Sequence, residues 1–407
     1  MKAQSILIIC NKSPWPPKEG GPIAMNAMVE GLLNAGHNVK VLAINSHKYN
    51  VDLSSIPDEY KEKTKIELVH LDLRIKPVDA FLNLFSTQSY HVKRFISKDF
   101  SEALRKILLN NKFDIVQLET LFVAPYIPLI RQLSAARVIL RAHNIEHLIW
   151  ERLSINEKNP IKKWYLQHLT KTLKNFEINV LPELDGVVAI TPKDAEFFKQ
   201  KMNARKVISI PFGVNTERIE HFKPNESSGS SSQKTIFHLG SMNWMPNIEG
   251  IKWFLEKVWP GIVAIRKDIV FRIAGREIPA WLRNTNLENV IIDGEVPDAL
   301  SYMQQHKIMV VPLFSGSGIR IKIIEGMMAG CAVITTTIGA EGIEYTNDKE
   351  LIIANNEEQF AEAIAYLVDN TQKVEDLGKN AADFIMTTHN NQVLISKLES
   401  FYSTIKD

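Results

Sequence analysis

Short unbroken apolar runs alternate with longer stretches of helical period along almost the whole chain. "SILIIC" (5–10) precedes "AMNAMVEGLLNAGH" (24–37), and "NVKVLAI" (38–44) follows, which predicts strand, helix, strand, with Gly36 ending the helix. Further strands are predicted at "IELVHLD" (66–72), "DIVQLE" (114–119), "RVILRAH" (137–143) and "GVVAIT" (186–191), with helices such as "SEALRKILLN" (101–110) between them. These runs are apolar on successive residues. Strands of that kind are covered on both faces, so the pattern predicts a parallel sheet between two layers of helices.

The pattern stops at "KPNESSGSSSQKT" (223–235), which is polar, serine-rich and without period, and reads as a linker or exposed loop. It then restarts with "TIFHLG" (235–240), a helix near 247–258, "IVFRIAG" (269–275), "VIIDGEV" (290–296), "IMVVPLF" (308–314), a helix near 319–329 and "CAVITT" (331–336). The tail "NQVLISKLESFYSTI" (391–405) has apolar residues at helical spacing. The predicted organisation is an α/β chain of two Rossmann-like parallel-sheet domains, 1–212 and 235–390, with a linker over 213–234 and a final helix over 391–407. Two such units imply a cleft. Ligands of open α/β sheets sit beyond the carboxyl ends of the strands, so glycine turns at those ends are where chemistry is expected.

Composition narrows the class. The chain has 407 residues, 45% hydrophobic and 23% charged, which fits a globular protein and excludes a disordered one. Its 48 basic and 46 acidic residues nearly cancel, which is not a nucleic-acid signature. Cys10 and Cys331 each fall in a predicted strand and read as small buried hydrophobes of a reducing compartment. No run reaches the ~18 apolar residues of a membrane span. "SILIIC" is too short for a signal-peptide core, so a cytoplasmic location is expected.

Two glycine turns stand out. "PWPPKEGGPIAMNAM" (14–28) follows the first strand, and Gly20 and Gly21 precede Pro22, the predicted first helical residue. In "FSGSGIRIKIIEGMMAG" (314–330) a strand leads through Gly316, Ser317 and Gly318 into a helix that brings Arg320, Lys322 and Glu325. Helix N-terminal N–H groups with two cations make an anion site, and cations there oppose the helix dipole unless an external anion balances them. Arg320 and Lys322, two apart on a helix, cannot share a face. A solvated helix start with a Lys322–Glu325 pair is the bland alternative. A dinucleotide fingerprint is a rival, but Ile321 stands where its third glycine belongs.

Other motifs weigh less. His143, Glu146 and His147 fit H-x-x-E-H, a zinc pattern that requires a helix, whereas His143 ends a predicted strand. His143 is therefore a candidate hydrogen-bond partner or general base, and no metal site is expected. No D-x-D pair occurs to hold a metal–diphosphate. "KNPIKKWYLQHLTKTLKNF" (158–176) carries five lysines and no acid, and reads as a surface helix packed on the core or as a basic face for anionic lipid. Thr191 and Pro192 read as a helix cap.

Several blocks together resemble the GT-B glycosyltransferases of group 1, family 4. They are the "GG" and "LLNAGHNVKV" of 20–41, "LRAHNIEH" (140–147), "VVAITPKDAEFF" (187–198), "IPFGVN" (210–215), "LGSMNWMPNIEGIKWFLEKVWP" (239–260), "FRIAGREIP" (271–279), "GEVPD" (294–298) and "PLFSGSGIRIKIIEGMMAGCAVITTTIGAEGI" (312–343). The resemblance implies two Rossmann-like domains facing a cleft, the final helix crossing back to the first. It implies retaining, metal-independent hexosyl transfer from a nucleotide-diphosphate sugar, without cofactor, to a glycan or lipid-linked acceptor, with possible peripheral contact at the membrane inner face. It implies catalytic roles for His143, Arg320 and Lys322. Gly20, Gly21, Gly240, Gly316, Ser317, Gly318 and Glu325 match donor-binding positions, with Glu325 at the ribose. Ser317 stands where the family usually has a glutamate, and "GSMNWMPN" lacks the usual cations, which leaves the phosphates to Arg320 and Lys322. A sugar-nucleotide epimerase or phosphorylase of this fold, or a non-catalytic nucleotide-sugar binder, are the alternatives.

Overall fold

The computed structural model describes residues 2–17, 20–214, 234–316 and 318–405. The expected linker lies almost wholly outside them, as does Ser317. The chain divides into two units, Met1–Gly213 with Asn391–Asp407, and Val214–Asn390.

The described residues of unit 1 carry seven strands: β1 (Ser5–Cys10), β2 (Asn38–Asn45), β3 (Glu67–His70), β4 (Ile115–Glu119), β5 (Arg137–Ala142), β6 (Gly186–Ala189) and β7 (Val207–Ser209). Their order is β3-β2-β1-β4-β5-β6-β7 and every pairing is parallel. β1 explains the unbroken apolar runs. Leu7 and Ile9 enter one core with Leu42, Val116 and Leu118. Ile6, Ile8 and Cys10 enter the opposite core with Val41 and Ala43. Side chains alternate between faces, and both faces are covered.

The final helix, Asn391–Thr404, covers the second of these cores through Leu394, Leu398 and Tyr402. Gly31 lets it approach, since a Cβ there would lie 2.7 Å from Asn391 Nδ2 and from an Ile395 side-chain carbon. Asn391 Nδ2 donates to the Ala27 carbonyl at 2.6 Å, and Glu399 lies 3.2 Å from His37 Nε2.

Unit 2 repeats the plan with β8 (Lys234–Leu239), β9 (Ile269–Ala274), β10 (Val290–Gly294), β11 (Ile308–Val311), β12 (Ala332–Thr335) and β13 (Ile352–Ile353), ordered β10-β9-β8-β11-β12-β13 and all parallel. Both units thus form doubly wound parallel sheets.

Three local differences from the sequence reading have physical causes. The first helix runs Gly20–Asn34, so Gly20 and Gly21 are its first residues and not a turn before it. Glycine's low helix propensity hides this, and Pro22 is tolerated because first-turn N–H groups have no intrahelical partner. The helix expected near 247–258 is Met245–Trp253, continued by a π-type turn (Phe254–Val258) and a new helix from Trp259. β7 and β13 are too short to register as apolar runs. The Thr191 cap forms as read, its side chain accepting from Asp194 N. Cys10 and Cys331 are buried and free, and burial pushes both thiols up.

Candidate functional site

In unit 2 the strand order reverses beside β8, so the carboxyl ends of β8 and β11 flank the crevice. Three separated segments meet there. Lys322, second residue of the helix Ile321–Met328, donates through Nζ to Asn247 Oδ1 at 2.6 Å and lies 3.4 Å from His238 Nε2. His238, in β8, is fully buried and donates from Nδ1 to the Val310 carbonyl at 2.8 Å. That assigns its Nε2 lone pair to the ammonium. Asn247 Nδ2 donates to the Ser241 carbonyl at 2.7 Å, which turns the amide oxygen toward the lysine.

Gly240 closes this cluster. A Cβ there would stand 2.8 Å from Lys322 Nζ and from Asn247 Nδ2, and 3.1 Å from His238 Nε2. Burial, helped by the nearby Arg320 charge, pulls Lys322 down to about 7. Burial and Lys322 push His238 well below the usual imidazole range, so the ring is neutral at physiological pH. Burial and the Arg320 charge both disfavour the Lys322 ammonium, so a negative charge placed beside it would favour that form.

Arg320 does not lie on the helix, as the sequence suggested. It immediately precedes it, in extended conformation, and is only 4% exposed. Its guanidinium donates to the Gly318 carbonyl and lies 5.5 Å over the Trp244 ring. The loop that turns it inward uses Gly316 at φ +103°, where a Cβ would also lie 2.9 Å from Trp244, and Gly318 at φ +77°. Glu325 lies half-buried one turn along the helix from Ile321.

Unit 1 holds a second polar cluster at the carboxyl ends of β4 and β5, where Glu119 pairs in register with Arg141. Both are almost wholly buried, and Arg141 Nη1 lies 3.2 Å from Glu119 Oε2. His143, just beyond β5, reaches the same oxygen through Nε2 at 2.6 Å. Gln117 Nε2 donates to Glu119 Oε1 at 2.6 Å, and Tyr402 of the final helix donates to Gln117 Oε1 at 2.5 Å. Burial raises the Glu119 carboxyl, but Arg141 and the His143 and Gln117 hydrogen bonds outweigh it and hold the group low. Burial lowers His143 against the pull of Glu119, with Arg141 and Lys12 adding to the lowering. An ionised carboxylate only accepts, so His143 carries its proton on Nε2 and presents Nδ1 as an acceptor. Gly21 gives Lys12 its place, since a Cβ there would lie 2.8 Å from Lys12 Nζ.

The H-x-x-E-H residues separate. His143 joins Glu119, whereas His147 Nδ1 lies 2.5 Å from Glu177 Oε2. Glu146 is buried beside Glu177 and is pushed up to about 8, first by burial and then by the neighbouring charge. Sequence reasoning missed Glu119, Arg141, His238 and Asn247. The first three sit inside strands that read as apolar. The signal was available in "QLE" and "RAH", where polar residues two apart share a face of neighbouring strands.

The pattern of "Glycosyltransferase Family 4" matches residues 20–218, and that of "Glycosyl transferases group 1" matches 233–370. The chain belongs to the group 1, family 4 glycosyltransferases. A relative of this glycosyltransferase, an "uncharacterized 44.6 kDa protein in cps region" of Klebsiella pneumoniae, is 23% identical over 403 residues, 97% of this chain and 98% of that one. Among solved structures, HepE of Anabaena in complex with UDP superposes with a TM-score of 0.67 at 11% identity, covering 98% of this chain and 100% of that one. Sucrose-phosphate synthase of Thermosynechococcus elongatus does so with a TM-score of 0.69 at 15% identity, over 99% of each chain. These similarities carry the fold of the glycosyltransferase; its site rests on the residues above.

Proposed function

We propose that this glycosyltransferase moves a hexosyl group from a nucleoside-diphosphate sugar to a hydroxyl of a glycan or lipid-linked acceptor, with retention and without a metal. The observation that carries the reading is Lys322, held in the unit 2 crevice by Asn247 and His238 with Arg320 nearby. Breaking the bond from C1 to the leaving phosphate builds negative charge on that oxygen. A bound diphosphate raises the proton affinity of Lys322, so the ammonium is formed where that charge develops. The acceptor oxygen bonds C1 from the face the phosphate leaves, and its proton passes to the departing phosphate oxygen. Glu325 takes the ribose hydroxyls. Gly240, Gly316 and Gly318 let backbone approach the donor. In unit 1, His143 Nδ1 accepts from a hydroxyl of the transferred sugar, and Gly20 and Gly21 open the helix start to anionic groups.

HepE has been solved with UDP and with UDP-glucose, which puts uridine donors first. A thermal-shift screen against UDP-, GDP- and ADP-sugars should show stabilisation by one nucleotide class. With that donor, free nucleotide should appear only when an acceptor is present, and a chelator should leave the rate unchanged. Absence of stabilisation by every donor, or nucleotide release independent of acceptor, would refute the reading.

A further inference from the structure

The loop that carries Arg320 into the crevice of unit 2 has two glycine joints, Gly316 at φ +103° and Gly318 at φ +77°. Glycines leave a free chain many conformations, so the inward turn of Arg320 has to be held from outside the loop. One helix, Met245–Trp253, grips three successive loop residues. Trp253 meets Phe314 edge to face at 4.5 Å. Glu249 Oε2 accepts from Ser315 Oγ at 2.9 Å. Trp244, just before the helix, lies against Gly316 and beside the Arg320 guanidinium. Gly250 permits this approach, since a Cβ there would lie 1.8 Å from the Pro312 carbonyl oxygen. Glu249 and Trp253 are four apart, so they share the helix face that follows the chain from Phe314 to Ser315.

The middle contact is the unexpected one, because it is made by a carboxylate. Glu249 is exposed, and the one lysine of its helix, Lys252, lies 3.9 Å from Glu256 instead. A negative charge beside a loop that receives a diphosphate opposes the ligand by Coulomb repulsion. Ser315 is half-buried, and its hydroxyl on an ionised carboxylate makes a charge-assisted bond, about twice as strong as a neutral one. That bond falls one residue ahead of the first glycine joint, where it fixes the direction in which the loop sets out. A solvated glutamate that met Ser315 by chance would only repel the ligand. The two readings therefore differ in sign.

We propose that Glu249 is a positioning residue of the donor seat. By accepting from Ser315 it holds the loop in the arrangement that turns Arg320 inward, and so sets the fraction of free protein that is ready for the diphosphate. Apparent affinity scales with that fraction. The inference rests on the reading of Arg320 and Lys322 as the seat of the donor diphosphate.

The test is titration calorimetry of the full chain with UDP and with uridine, which has the nucleoside but not the phosphates. Glu249→Ala and Ser315→Ala should each lower UDP affinity by about fivefold. The double variant should lose no more than either single one, because both remove the same bond. Glu249→Gln keeps an accepting oxygen and should return UDP affinity to within about twofold of wild type. Uridine affinity and Tm should stay at the wild-type values throughout, which a general loosening of unit 2 would not allow. The inference is overturned if Glu249→Ala or Ser315→Ala binds UDP as tightly as wild type or more tightly, if the two losses add, or if uridine affinity falls in step with that for UDP. Arg320→Met, measured alongside, separates the two readings. A loss in Arg320→Met with none in Glu249→Ala sinks this inference alone, and no loss in either sinks the seat on which it rests.

Discussion

Removing the Glu119 carboxylate strips the buried polar cluster of unit 1 of its shared acceptor. Glu119 is fully buried and receives Arg141 at 3.2 Å, His143 at 2.6 Å and Gln117 at 2.6 Å. Glu119→Leu leaves the Arg141 charge buried and strands two further donors. Breaking a buried pair from one side costs about 3–5 kcal/mol, or about 6–20 °C in Tm for a unit of this size. Glu119→Leu/Arg141→Met should recover more than half of that loss, because no uncompensated charge remains. The assay is denaturant unfolding of the two single variants and the double. Strict additivity, or a Glu119→Leu loss below about 1 kcal/mol, would show that the cluster is solvated and not a desolvated pair. The conservative Glu119→Gln keeps the shape but removes the acceptor-only partner of His143 Nε2. It should alter the pH profile of kcat/KM more than the fold, and an unchanged profile would deny Glu119 any hold on the histidine.

Other outcomes follow from the same geometry. Gly240→Ala places a methyl group against Lys322, Asn247 and His238, and should weaken nucleotide affinity by about tenfold or more while unit 2 still folds, as read by calorimetry and circular dichroism. Lys322 releases its proton from about 7, whereas an ordinary lysine holds it to 10.5. The unfolded chain therefore binds more protons between those values, so stability should rise with pH across that window while nucleotide affinity falls, by at most about tenfold per pH unit. Lys322→Met should abolish both trends. Glu146 has the opposite sign: native protein keeps its proton to about 8 and the unfolded chain loses it near 4.5, so this group lowers stability as pH rises between them. Glu146→Gln should therefore stabilise unit 1 at pH 8 by about 1–3 kcal/mol and leave it unchanged at pH 4.

The sheets were legible in the sequence because every central strand is covered on both faces, and such strands announce themselves as runs like "SILIIC" and "RVILRAH". The basic pair of unit 2 was legible because glycines and cations at a helix start have few structural uses. What escaped were polar residues brought together across strands. His238 and Lys322 are 84 residues apart, and Tyr402 is 285 residues from Gln117. Nothing in either neighbourhood marks the partner, since β-sheet register and helix docking make those contacts. Arg320 was misplaced onto the helix because the observed start, Ile321, lies two residues after the expected one, within the ordinary spread of helix ends.

The central claim is that Lys322 and Arg320 form the seat of the donor diphosphate. Titration calorimetry of UDP and uridine against wild type, Lys322→Met and Arg320→Met tests it most directly. The account predicts that wild type binds UDP far more tightly than uridine, that each variant loses about tenfold or more in UDP affinity, and that uridine binding stays unchanged. Equal UDP affinity in wild type and both variants would contradict it and move the phosphates elsewhere.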